Sequence, residues 1–425
     1  MLTREENELL TRVGPGTPGG DWMRRYWQPV ALSEELPQGG PPIPVRLLGE
    51  DLVLFRDDAD RIGLLYIHCA HRAADLSYGR VEDGGLRCIY HGWLYDVEGN
   101  CLEQPAEPVE STFKSKIKQR AYPCREEGGL VFAYMGPGEP PVLPLYGPLR
   151  VPEDQRWVTK YYHECNYLQG LEGNMDPTHV PYLHRFLKTD GGRKIYKEHP
   201  KESTAHEEED LRNPVPGLFR GPEEVEETDF GIWSKGEPEL VLPSFCLTGG
   251  GPQRRGDGYQ LYWRVAIDDE HHWLYVLAFK RSGPLDKQFV EQRTEGLITS
   301  DYHFIRNKAN RYLQDREEQR TSTFTGMGAV FVVQDACVNE GAGPIQDHTE
   351  EHLGAADISL VAGRRLMLKG IRQVQDGIDP PGVIRDARLN EADPLFLKTN
   401  RYQVGAQTTI EQIMDQRMAR SRGTT

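Results

Sequence analysis

Short apolar runs, cut by clusters of turn-forming residues, dominate the first third of the chain. Val45–Leu48, Leu52–Arg56 and Leu64–His68 read as strands, with Gly49-Glu50-Asp51 and Asp57-Asp58 as the turns between them. Leu86–Tyr90, Trp93–Tyr95 and Leu130–Tyr134 read as further strands, so residues 25–140 are expected to form a small all-β domain. Residues 3–13 instead carry a helical pattern. Thr3 stands as its cap and Glu6 as the capping-box partner, and Gly14–Gly20 (GPGTPGG) ends it. Residues 1–24 thus lead into the β domain as a helix and loop.

Gly136–Pro148 (GPGEPPVLPLYGP) interrupts the pattern, and the linker is placed at residues 141–150. Beyond it the composition changes, and residues 151–425 are expected to form a larger α+β domain. Tyr259–Ile267 and Trp273–Phe279 read as strands, Asn166–Gly173 as a short helix. Longer helices are predicted over about 285–318, rich in Glu, Arg and Lys, and over His348–Val374. The acidic, proline-containing residues 199–229 read as a loop insertion.

Charge narrows the partners. A net charge of −15 over 425 residues disfavours nucleic acid and anionic membranes. No apolar run approaches the roughly eighteen residues of a membrane span. The opening Met1-Leu2-Thr3-Arg4-Glu5-Glu6 is not expected to act as a signal peptide. Seven widely spaced cysteines, an odd number, do not form a disulfide framework, so a reducing cytoplasm is expected.

The candidate chemistry begins at Cys69-Ala70-His71 and Cys88-Ile89-Tyr90-His91-Gly92-Trp93, with sixteen residues between His71 and Cys88. Two thiolates and two imidazoles can hold zinc, or a two-iron cluster in which histidines replace two cysteines. Structural zinc sites usually pair like with like, whereas each loop here mixes one cysteine with one histidine. Tyr90, Trp93 and Tyr95 can cover a cluster, and Gly92 can let backbone amides approach its sulfurs. The pattern resembles the Rieske [2Fe-2S] motif, and Cys88–Asp96 (CIYHGWLYD) resembles the corresponding loop of ring-hydroxylating oxygenases. Ala70 stands where that family usually has proline. Neither Arg72–Asp75 nor Ile89–Tyr90 holds the additional cysteine of high-potential respiratory Rieske proteins, which favours the oxygenase type.

A second constellation lies at Asn174-Met175-Asp176-Pro177-Thr178-His179-Val180-Pro181-Tyr182-Leu183-His184. Two imidazoles and a carboxylate with open positions form the facial triad of non-haem Fe(II) oxygenases. Alone, His179 and His184 read more readily as ordinary surface or core histidines. Downstream of a Rieske motif, Asp-x2-His-x4-His resembles the iron motif of Rieske oxygenases. That resemblance gives Asp176 the task of bridging His179 to a cluster histidine, His91, of a neighbouring subunit. It places the iron carboxylate on a downstream helix, where Val332–Glu340 fits, with Asp335 as the third ligand and Glu340 as the alternative. Asn174 is either a hydrogen-bonding residue beside the iron or a helix C-cap. Gly343-Pro344-Ile345, His348 and Glu351–Gly354 continue the likeness to phthalate-dioxygenase-like enzymes.

The resemblance implies an α+β chain, with an all-β Rieske domain followed by a helix-grip catalytic domain on an antiparallel sheet. It implies a [2Fe-2S] cluster and a mononuclear non-haem Fe(II), with subunits arranged head to tail in a homotrimer or in stacked trimers. The implied function is that of a terminal oxygenase using O2 to hydroxylate an aromatic compound, with an aromatic carboxylate favoured. O-demethylation of a methoxy-aromatic is the alternative; a pure electron-transfer Rieske protein is the alternative of another class. Arg220, Arg254, Arg255 and Arg264 are available to a substrate carboxylate, and none is singled out. The chain shows no dinucleotide fingerprint, flavin site or plant-type ferredoxin motif, so a separate flavin- or ferredoxin-type reductase is expected, with NAD(P)H as ultimate donor.

Overall fold

The structure, a computed structural model, describes residues 2–190, 193–197, 224–234, 237–248, 260–280, 282–285 and 294–390. Helix α1 (Arg4–Thr11) starts where the capping box predicts. Thr3 Oγ1 accepts the Glu6 N–H at 3.2 Å, and the Glu6 carboxylate accepts the Thr3 N–H at 2.9 Å. A second short helix, α2 (Pro18–Met23), buries Trp22 and Met23.

Three small antiparallel sheets follow. Trp27–Leu32 pairs with Leu130–Tyr134, which also pairs with Cys124–Glu127. Ile43–Leu47, Glu50–Arg56, Ile62–Tyr66 and Ala121–Tyr122 make the second sheet in that order. The third is a meander of Arg80–Glu82, Gly85–Arg87, Leu94–Tyr95 and Cys101–Glu103. Val53, Phe55, Leu65, Leu76, Leu86 and Tyr95 fill a small core between the second and third sheets, directly behind the two Cys/His loops.

A seven-stranded antiparallel sheet organises the rest, in the order Arg156–His163, His272–Phe279, Gln260–Ala266, Phe245–Thr248, Glu237–Val241, Gly231–Ser234, Glu226–Glu227. Helix α3 (Tyr167–Met175) lies across its central strands, capped by Asn166, whose Oδ1 accepts the Leu168 N–H at 3.0 Å. A single turn, α4 (Val180–Leu183), follows. Further on come α5 (Arg316–Thr321), α6 (Phe331–Gly341) and the long α7 (Ile358–Gln375). Val332, Val333 and Ala336 press α6 into a core formed with Tyr161, Leu274 and Val276 of the sheet. No described helix is long and apolar enough to cross a membrane.

Two helical expectations need correction. Of the stretch expected to be helical over about 285–318, residues 286–293 lie outside the described residues and Thr294 is helical; beyond it the described residues hold only the 3₁₀ segment Lys308–Leu313 and the start of α5. From residue 295 the run is charged but lacks an apolar stripe, and positive φ at Tyr302, Arg311, Tyr312 and Leu313 breaks a continuous helix and kinks the 3₁₀ segment itself. The helix expected from His348 begins at Ile358. Asp347 first folds the chain into a turn, its Oδ1 accepting the Thr349 N–H at 3.0 Å, and Ala355–Asp357 is 3₁₀. The expected strand Leu86–Tyr90 is cut short at Arg87, because Cys88 already opens the loop. Most of the 199–229 insertion, including Arg220, lies outside the described residues, as do Arg254 and Arg255.

Candidate metal centres

The first centre is built by two loops that face each other. In one, Gln119 reaches across to donate Nε2–H to the carbonyls of Tyr66 (2.6 Å) and His68 (2.9 Å) and accepts the Ala70 N–H on Oε1 (2.8 Å). In the other, the Cys88 N–H bonds the Trp93 carbonyl at 2.8 Å, and the Gly92 N–H returns to the Cys88 carbonyl at 3.0 Å. That tight turn puts Gly92 at φ +73°, where any other residue is strained. Arg87 braces it, donating to the Gly92 carbonyl at 2.9 Å while paired with Glu82, Asp83 and Glu103.

This scaffold brings all four predicted residues together. Cys69 and Cys88 are buried and free, and the rings of His71 and His91 stand 4.4 Å apart. Trp93 stacks on His71 at 4.4 Å, and Tyr90 lies against His91 at 3.9 Å. Burial and the adjacent Cys69 raise the Cys88 thiol pKa, against backbone N–H groups of Tyr90 and His91 directed at its sulfur. His71 Nδ1 is buried without a hydrogen-bond partner among the described residues. A buried ring nitrogen with no donor or acceptor is costly unless something binds it. Two thiols and two imidazoles converging this way fit a Rieske cluster.

The second centre sits where α3, α4 and α6 meet. Gln169 locks α3 to the end of α6, donating to the Asn339 carbonyl at 2.8 Å and the Gly343 carbonyl at 3.0 Å. His179 and His184 flank α4, and Asp335 projects from α6. One ligand atom from each of the three lies within 4.8 Å of the others. His184 Nε2 is 3.1 Å and His179 Nε2 3.7 Å from Asp335 Oδ1. Ligands about 2.1 Å from one ion at a right angle stand about 3 Å apart, so this donor set suits a metal with open positions. Burial alone raises the Asp335 pKa, but the His184 hydrogen bond and the charges of His184, His179 and Arg264 hold it below its ordinary value.

Asp176 is the C-cap of α3. Its Oδ1 accepts the Thr178 N–H at 2.7 Å and the Thr178 hydroxyl at 2.5 Å, and its Oδ2 stands 3.5 Å from His179 Nδ1. Burial opposes ionisation, yet His179 and Thr178 keep the Asp176 pKa low. Asn174 lies within the last turn of α3 rather than at its cap, and its Oδ1 accepts from Arg264 Nε at 2.8 Å. Glu340 stands apart from the two histidines. It is buried with Tyr312 Oη bonded to it and His163 Nδ1 3.4 Å away, and burial raises its pKa despite the Tyr312 hydroxyl and the Glu164 N–H.

Arg264 is 1% exposed and already committed, to Asn174 and, through Nη1, to His163 (3.2 Å) and His272 (3.0 Å). Gly170 of α3 makes room for it: a Cβ there would come within 2.8 Å of Arg264 Nη1. A second His/Glu group, Glu172, His348 and Glu351, is an ion-pair knot tying α3 to α7, since Arg364 bonds both carboxylates at 2.5–3.0 Å.

Sequence comparison decides the family. Residues 26–117 match the Rieske [2Fe-2S] domain, and residues 258–399 match a LigXa C-terminal domain like family. The chain is 34% identical to the 5,5'-dehydrodivanillate O-demethylase oxygenase subunit of Sphingobium sp., over 93% of this chain and 86% of that one. It is 35% identical to the phthalate 4,5-dioxygenase oxygenase subunit of Pseudomonas putida, over 89% and 88%. The chain belongs to the Rieske non-haem iron oxygenases. The cofactors of such an oxygenase subunit are a [2Fe-2S] cluster and a mononuclear iron. The fold agrees: the terminal oxygenase of carbazole 1,9a-dioxygenase from Novosphingobium sp. KA1 superposes with a TM-score of 0.54 at 21% identity, covering 87% of this chain and 99% of that one.

In this Rieske oxygenase, Tyr95 Oη lies 3.2 Å from Cys69 Sγ. Burial and the neighbouring Cys69 push the Tyr95 phenol pKa up, so the phenol stays protonated and donates to the sulfur. A donor to a cluster sulfur favours the reduced, more negative state. Tyr95→Phe is therefore expected to lower the cluster potential by about 50 mV, the one-electron equivalent of roughly 1 kcal/mol, in a spectroelectrochemical titration. An unchanged potential would mean that this contact does not tune the cluster.

Proposed function

We propose that this terminal oxygenase oxidises an aromatic carboxylate with O2, with Cys69, His71, Cys88 and His91 holding the cluster and His179, His184 and Asp335 holding the iron. The convergence of those last three side chains, two imidazoles and one carboxylate, carries the proposal. Aromatic acids are the substrates that both reported relatives name, phthalate and dehydrodivanillate. O-demethylation is the second reading, favoured by the name of the demethylase relative. The proposal assigns residues 25–140 to the cluster unit and 151–425 to the iron unit, with 1–24 leading and 141–150 linking. The gap between Leu130–Tyr134 and Arg156–His163 supports that division.

When bound, the cluster supplies single electrons and the mononuclear iron activates dioxygen. The residues around them orient and bridge. Thr178 pins one oxygen of Asp176, which leaves the other to meet His179 Nδ1 and aim His179 Nε2 at Asp335. In a head-to-tail trimer, His91 of one subunit would meet Asp176 of the next, a hydrogen-bonded link between two imidazoles. Exposed Ile89 and Tyr90 beside His91, at 61% and 56%, support that contact. Arg264 fixes Asn174 beside the iron, and a separate reductase, drawing on NAD(P)H, delivers the electrons.

Turnover with the reductase on a panel of aromatic acids and methoxy-aromatics tests the function. Cluster reoxidation and product are followed together. Hydroxylated acid is expected; loss of a methyl group as formaldehyde favours the second reading, and no substrate-dependent reoxidation with any panel member contradicts both.

A further inference from the structure

The two histidines of the iron site are held by chemically different partners, and one of these, Gln334, is invisible in the ligand motif. Gln334 is fully buried on α6, next to Asp335. Its Nε2 donates to the Gly328 carbonyl at 2.6 Å, and Gly328 is itself pinned by its N–H to Glu318 Oε1 at 2.8 Å. The amide nitrogen must face that carbonyl, so the amide oxygen faces His184 Nδ1, 2.7 Å away. An oxygen only accepts. His184 Nδ1 therefore carries a proton, and in the neutral ring Nε2 is the nitrogen left free to bind a metal.

That nitrogen faces Asp335 Oδ1 across 3.1 Å. With the neutral ring, two acceptors this close are held together by a cation between them, a place a metal ion can take. The same helix face completes the clamp: the Phe331 ring stacks on His184 at 4.1 Å and 8°, and Phe331, Gln334 and Asp335 fall at i, i+3 and i+4. His179, by contrast, has the Asp176 carboxylate at its Nδ1. A carboxylate there raises imidazole basicity more than a neutral amide can.

We propose that Gln334 is a positioning residue that fixes the tautomer of His184 and commits its Nε2 to the metal. As a neutral partner, it leaves His184 the weaker of the two imidazole donors. This rests on the reading of His184 and Asp335 as iron ligands.

The test compares Gln334→Met, which keeps the shape but removes the acceptor, with Gln334→Glu, which keeps an acceptor. Iron-stripped protein is titrated with Co(II), reading affinity and the d–d spectrum, with the visible absorption of the cluster reporting an intact fold. Gln334→Met is expected to weaken Co(II) binding about 10–100-fold and alter its spectrum, and Gln334→Glu to hold Co(II) at least as tightly as the parent. Parent-like affinity and spectrum in Gln334→Met, or equal weakening in both variants, overturns the proposal. His184→Ala separates the two levels: retained parent affinity there overturns the ligand assignment itself.

Discussion

Asp335→Ala is expected to strip the mononuclear iron and abolish oxygenation while leaving the cluster's visible spectrum intact. Asp335 is the carboxylate among three converging donors, and its neighbours, His179 and His184, offer neutral nitrogens. Removing it leaves two imidazoles and no charge to offset that of the metal. The loss of affinity should exceed the roughly 100-fold upper range of changes to groups that only support a ligand. The cluster is insulated from this change because Cys69, His71, Cys88 and His91 belong to other loops, on a separate small core. Iron analysis and the absorption spectrum on the same sample check both halves. Retained mononuclear iron would move the ligation to another carboxylate, and Glu340, buried against Tyr312 and His163, is the alternative from the same helix.

Asp176→Asn separates metal loading from coupling. The asparagine can keep the Thr178 bonds to one oxygen, so the local turn should survive. It loses the charge that faces His179 Nδ1 and, in the proposed trimer, the charge that meets His91 of the next subunit. Both metal centres are expected to remain loaded, with turnover reduced by at least about 100-fold, the upper range for such supporting carboxylates. Single-turnover mixing of pre-reduced protein with substrate and O2 checks the prediction: cluster reoxidation should slow in step with product formation. Parent rates in this variant would place the route between the centres elsewhere.

How legible these centres were follows from how local they are. Cys69/His71 and Cys88/His91 each sit within one turn, and Asp176, His179 and His184 fall within nine residues, so spacing alone exposes them. Asp335 comes from a distant helix, and no spacing rule reaches it; only the family resemblance pointed there. The supporting groups were harder still. Gln119, Gln334 and Arg264 look like ordinary polar residues in the sequence, and only the structure brings them to loops and rings far along the chain. The β segments behind the cluster were recognisable because buried apolar runs end at turn residues. Residues 295–315 misled because charge density imitates a helix surface when no apolar stripe is required of it.

Metal analysis tests the two-centre account most directly. Protein purified without oxygen and reconstituted with iron and sulfide is assayed for iron and acid-labile sulfide per chain. The account predicts about three irons and about two sulfides, with one iron removable by a chelator without loss of the cluster spectrum. About two irons, all tied to the cluster absorption, would contradict it and leave an electron-transfer protein without an oxygenase centre.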